Sequence, residues 1–126
     1  MDREEIKEAY EKYELQPKDI YKHQHYLIIT RSGIEKIQAI ENIKIRYEVV
    51  NCSETFAVIK AISDKDKVET YGSAKRGSSF KDGSTQSWYV MEMAEKRAMS
   101  RLVLKVTGLY KLGIFGDEES EEFSKK

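Results

Sequence analysis

One cysteine, Cys52, stands in the sequence, so no disulfide can close within the chain, and a reducing compartment is the expectation. No apolar run approaches the ~18 residues that a membrane-spanning helix requires. Met1-Asp2-Arg3-Glu4-Glu5 has no apolar stretch of the kind that opens a secretion signal, so none is expected, nor any membrane partner, and the expected location is the cytoplasm. Neither charge is in excess: 22 Lys and Arg match 22 Asp and Glu. Taken alone, that balance argues against nucleic acid, because phosphate binding needs a local surplus of cations. No phosphate loop of the Gly-Lys-Ser type is present, and no spacing suggests a Ser/His/Asp or Cys/His set. Histidine is scarce. His23 and His25 would share a face on a strand, but a metal site needs three or four ligands and Cys52 is the sole soft partner. The two histidines therefore read as structural or phosphate-contacting, with no metal and no cofactor.

What is present is enough for one core. The chain has 126 residues, 40% hydrophobic and 35% charged, a globular composition with a heavily charged surface. The charge is unevenly placed. Residues 1–43 carry 7 basic and 9 acidic groups, residues 44–115 carry 13 and 8, and residues 116–126 carry 2 and 5. A middle of net charge +5 is thus flanked by a start of −2 and a tail of −3. Such asymmetry matters more for partners than the total.

Ile6, Ala9, Tyr10 and Tyr13 recur at helical spacing, which predicts a helix over 2–14, with Asp2 able to cap it and Pro17 beyond its end. His25–Thr30 is a short β-branched strand. Ser32-Gly33-Ile34-Glu35 has the form of a capping box and opens a helix through about Asn42, with Ile34, Ile37 and Ile40 as its inner stripe. Three strands follow, at 45–51, 55–63 and 68–74. The nearly all-apolar middle one is expected at the sheet centre, and the polar turn Asp64-Lys65-Asp66-Lys67 precedes the third. Lys75 to Ser87 is a Gly/Ser-rich basic loop. A long helix is predicted over 88–107, capped by Gly108, with a short apolar extension over 110–115. The fold class is therefore α+β: a three-to-four-stranded antiparallel meander packed against a long C-terminal helix, a β-β-β-α core with an N-terminal helix. One domain is expected over 1–116, followed by an acidic disordered tail over 117–126.

Projected at 100° per residue, Arg97, Arg101 and Lys105 fall on one line of the long helix, with Glu92 and Glu95 roughly opposite. None of the three has an acidic residue four positions away within the helix. Much of the remaining circumference is apolar, so the helix should be covered on several sides and the basic row should lie at a groove floor, where low-dielectric walls strengthen its pull on phosphates. Arginine can also stack on unpaired bases. The alternative is an ordinary solvated face.

The order of elements, and above all the run Ala94-Glu95-Lys96-Arg97-Ala98-Met99-Ser100-Arg101-Leu102 closing on Gly108-Leu109, resembles phage-type single-strand annealing proteins, the Erf/Sak-like recombinases. It is also similar to the N-terminal annealing domain of the eukaryotic recombination mediator. Leu102-Val103-Leu104 stands where that family often has Ala-Leu pairs. The resemblance implies a single-stranded DNA-binding protein that promotes annealing in recombination and repair as a homo-oligomeric ring or filament. It also implies Arg97, Arg101 and Lys105 on the phosphates, and a host's cytoplasm if the chain is phage-encoded. No catalysis is expected.

Further nucleic-acid contacts are expected from Lys96, Lys75, Arg76 and Lys81, with Phe80 beside Lys81 as the aromatic placed to stack on a base. Core packing is the expectation for Trp88, Tyr89, Tyr71 and Tyr47. The acidic tail is a candidate contact for a replication or recombination partner, or a competitor for the groove. Two other classes remain open. One is a non-catalytic oligomeric scaffold or protein-interaction module on the same fold. The other is a magnesium-dependent nuclease built from Asp64, Asp66, Glu69, Glu92 and Glu95.

Overall fold

A computed structural model of the chain describes residues 3–23, 26–77 and 89–116. The chain forms two compact units. The first comprises Met1–Ile43 with Val103–Lys126, and the second, Lys44–Leu102, is inserted between those two segments.

In the first unit, helix α1 (Arg3–Lys12) precedes strands β1 (Ile20–His23) and β2 (Tyr26–Ile29) and helix α2 (Arg31–Glu41). The hairpin pairs Ile20 with Ile29 and His23 with Tyr26. A last strand, β6 (Ile114–Gly116), joins β2 in parallel, Leu27 opposite Ile114, so the sheet order is β1-β2-β6. Ile28, Ile29, Ile34, Ile37 and Ile114 are among its buried side chains.

Helix α2 departs from its expected start. Its N-cap is Thr30, in extended conformation and without a side-chain cap bond. The Thr30 hydroxyl bonds the Lys18 and Asp19 carbonyls instead. Ser32 lies inside the helix and donates to Asp19 Oδ1 at 2.6 Å, so the capping box is not used. The wholly buried carboxylate outcompetes the helix terminus for that hydroxyl. The inner stripe also stops early. Ile34 and Ile37 are buried, but Ile40 is 46% exposed. Each step of three residues rotates about 60° short of a full turn, so the third isoleucine has drifted off the buried face. Asn42, left-handed at φ 53°, ends the helix, and the Ile43 N–H returns to the Gln38 carbonyl.

The second unit is the expected meander. Strands β3 (Arg46–Cys52), β4 (Phe56–Ser63) and β5 (Val68–Lys75) are antiparallel neighbours in that order, so β4 is central. A bulge between Val49 and Asn51 interrupts β3. In the β4–β5 turn, Ser63 Oγ donates to Asp66 and accepts from its N–H, and Lys67 takes the left-handed conformation. Helix α3 (Val90–Thr107) begins in this unit, and its last turn belongs to the first. Gly108, at φ +77°, follows it and leads into a 3-10 turn (Leu109–Leu112).

The architecture is mixed α+β with α3 packed on strands, as the sequence predicts, but the described residues form two three-stranded sheets. Among the described residues, no helix is long and apolar enough to cross a membrane. The 117–126 tail and most of the 75–87 loop lie outside the described residues.

Candidate nucleic-acid interface

Strand β5 buries Thr70, Gly72 and Ala74 and exposes Tyr71, Ser73 and Lys75. The buried side is made of small residues, which lets α3 come close. A Cβ on Gly72 would overlap the Ala94 carbonyl oxygen, the Ala98 nitrogen and the Arg97 Cβ, so only glycine fits. Thr70 Oγ1 donates to the Ala98 carbonyl at 2.7 Å, pinning the same crossing.

Two arginines of α3 then reach β5. Arg97 Nη1 donates to the Ser73 carbonyl at 2.7 Å, and Arg101 Nη1 donates to the Tyr71 carbonyl at 2.8 Å. The match is geometric. Four residues advance about 6 Å along a helix, and two advance about 6.6 Å along a strand. A row of side chains spaced four apart therefore stays in register with alternate carbonyls of a strand running the other way. Among the described residues β5 has a strand neighbour on one side only, which makes it an edge there. Lys75, exposed, continues the series one further alternate residue along.

The other expected contacts are placed as follows. Arg97 itself is only 7% exposed, so it sits in the helix–strand seam. Arg101 and Lys96 are half-buried on α3. Arg76 is half-buried just past β5, its N–H on the Thr55 carbonyl. Lys105 is exposed in the last turn of α3, in the first unit. Phe80, Lys81, Trp88 and His25 lie outside the described residues. Two aromatics expected in the core are not there: Tyr71 is 50% exposed and Tyr89 68%. The strict alternation Thr70, Gly72, Ala74 against Tyr71, Ser73, Lys75 carries that signal for Tyr71 in the sequence.

Of the five carboxylates named as magnesium-ligand candidates, Asp64, Asp66 and Glu69 have other engagements, while Glu92 and Glu95 are exposed on α3. Arg46 bonds both oxygens of Asp64, at 3.1 and 3.2 Å, and holds that carboxyl below its ordinary pKa. Glu69 pairs with Lys60 at 3.2 Å, and Asp66 closes its turn. Among the described residues, no three His, Cys, Asp or Glu side chains group as a metal site would require. Comparison of the chain with protein-family models, curated proteins and solved structures found no match.

Proposed function

We propose that the chain binds single-stranded DNA along the β5 edge, anneals strands in recombination as a multimer, and does so in the cytoplasm without a cofactor or a catalytic step. One observation carries the reading: Arg101, Arg97 and Lys75 stand at Tyr71, Ser73 and Lys75 of one edge strand, a cation at every second residue. Each arginine donates to a backbone carbonyl, a group with no formal charge of its own. A single strand laid along this edge would meet Arg101 and Lys75, with Arg97 behind them in the seam, while its bases stayed available for pairing. Annealing then draws its energy from base pairing alone.

The test is fluorescence anisotropy of a labelled single strand across a salt series. Removing two phosphate contacts with Lys75→Ala and Arg101→Ala should weaken binding and reduce the slope of log K against log salt by about 1.4, at ~0.7 per contact for single strands. An unchanged slope would remove the edge from the interface.

A second observation favours a protein contact on the other edge. β3 exposes Val49 and Val50 to 53% and 54%, and among the described residues it has a strand neighbour on one side only. Exposed apolar edges invite strand pairing, and the bulge between Val49 and Asn51 interrupts this one only locally. This edge supports self-association in the annealing reading, and it is the whole of the function in the scaffold reading. Sedimentation of Val49→Lys/Val50→Lys separates them from a monomer: a lower mass than the parent chain supports assembly through β3, and an unaltered mass rejects it.

A further inference from the structure

The outward face of the β3-β4-β5 sheet, away from Gly72 and α3, carries a pattern of its own. Antiparallel partners share a face, so Phe56, Val58 and Lys60 of β4 lie beside Lys75, Ser73 and Tyr71 of β5, in that order. Each aromatic ring thus stands directly opposite a lysine: Phe56 against Lys75, Tyr71 against Lys60. The second pair is in contact, with Lys60 Nζ 5.8 Å from the centre of the Tyr71 ring. Phe56 and Lys60 are four residues apart on β4, so the two rings are separated along the strand by about 13 Å. Val58, half-buried, and Ser73 floor the space between them. Phe56 is 37% exposed and Tyr71 50%. Phe56 is fixed at its base, its N–H on Ser53 Oγ at 3.1 Å and its carbonyl on the Ser53 N–H at 2.7 Å.

We propose that Tyr71 and Phe56 form a stacking platform for unpaired bases of the strand whose backbone follows the β5 edge. This rests on the proposed single-strand binding and adds to it a second surface, which reads bases by their faces. Tyr71 joins the two surfaces: its carbonyl holds Arg101 at the edge and its ring lies on the outward face. Every base has a π-face, so the platform is indifferent to sequence, and a base stacked by its face keeps its pairing edge open. The cations beside the platform are Arg101 and Lys75 rather than Lys60. Glu48 and Glu69 surround Lys60, at 3.7 and 3.2 Å, so the Tyr71 end takes its phosphate contact from Arg101, while the Phe56 end has Lys75. A protein partner is a poorer fit, because two partly exposed rings and a valine are a small part of the ~800 Å² per side that a stable protein interface covers.

The experiment compares a labelled oligothymidine with an abasic oligomer of equal length, using the full chain. The parent chain should bind the base-bearing strand about tenfold or more tighter, as one to two stacked bases imply. Phe56→Ala/Tyr71→Ala should bind both strands alike, at the abasic level and with the salt slope unaltered. Tyr71→Phe should keep the preference, and circular dichroism melting verifies that each variant is folded. A parent chain that binds both strands equally, or a double variant that keeps the preference, overturns the platform and leaves the phosphate-binding edge standing. Binding of neither strand overturns both. A changed sedimentation coefficient in the double variant with its DNA affinity intact assigns the face to a protein contact and likewise overturns it.

Discussion

Gly72 sets how near α3 comes to β5, and everything on the proposed edge depends on that distance. A methyl group at this position meets backbone atoms of Ala94 and Ala98, which have no rotamer to yield. Gly72→Ala should therefore cost about 1–3 kcal/mol, the usual penalty for overpacking, and lower the thermal midpoint by several degrees. The same shift should pull Arg97 and Arg101 off their carbonyls. An unchanged melting curve would mean that the crossing is looser than the geometry indicates. Asp19 is the corresponding residue in the first unit. Burial pushes its carboxyl pKa up, but Lys36 Nζ at 2.6 Å, Ser32 Oγ at 2.6 Å and the Gln16 N–H at 2.9 Å outweigh burial and bring it down to about 2. A carboxyl whose folded pKa lies below its unfolded value of about 3.9 stabilises the fold above that value and loses its contribution as pH falls toward the folded pKa. The parent chain should thus lose stability between about pH 4 and pH 2. Asp19→Asn should flatten that acid limb and cost about 1–3 kcal/mol at neutral pH, less than a fully buried pair would, because Lys36 is one-third exposed. An equally steep acid limb in the variant would locate the acid sensitivity elsewhere.

Among the elements, α3 and β5 define the account through a shared repeat: four helical residues against two strand residues. The helical half of that register is visible in the sequence as Arg97 and Arg101 spaced four apart. The strand half is not, because which carbonyls lie at an edge depends on the order of strands. That order follows from β4 alone, whose nearly unbroken apolar run places it centrally. The two arginines should separate in mutation. Arg97→Ala, removing a buried side chain from the seam, should lower stability more than Arg101→Ala, while Arg101→Ala should weaken DNA binding with little effect on the melt. Equal effects on both readouts would merge them into a single structural clamp. Other elements were legible only in part. β1 and β6 have four and three residues, too short for any periodicity to register, and β6 finds its partner far back in the chain. The Ser32 capping box failed because Asp19, thirteen residues upstream, claims the hydroxyl. Aromatics usually pack in cores, which predicts a buried Tyr71, although the small residues on either side of it already mark the opposite face as the buried one.

At the scale of the whole molecule, a net charge of zero conceals a basic middle, and the +5 of residues 44–115 falls largely on the inserted second unit. Equal numbers of charges therefore leave room for a phosphate-binding surface, provided that the acidic groups are paired off locally, as Asp64 and Glu69 are. The β3 edge adds a concentration dependence. If assembly runs through Val49 and Val50, lysines there should lower both the sedimenting mass and the annealing rate, whereas single-strand affinity per chain should hold. Loss of affinity without loss of mass would place β3 in the DNA interface instead. Each of these outcomes presupposes that the chain binds single strands at all. The measurement that tests this most directly is fluorescence anisotropy with labelled single- and double-stranded oligonucleotides of one sequence across a salt series. The account predicts tighter binding to the single strand, weakening steeply as salt rises. Absence of binding at low salt, or equal affinity for both forms, would contradict it.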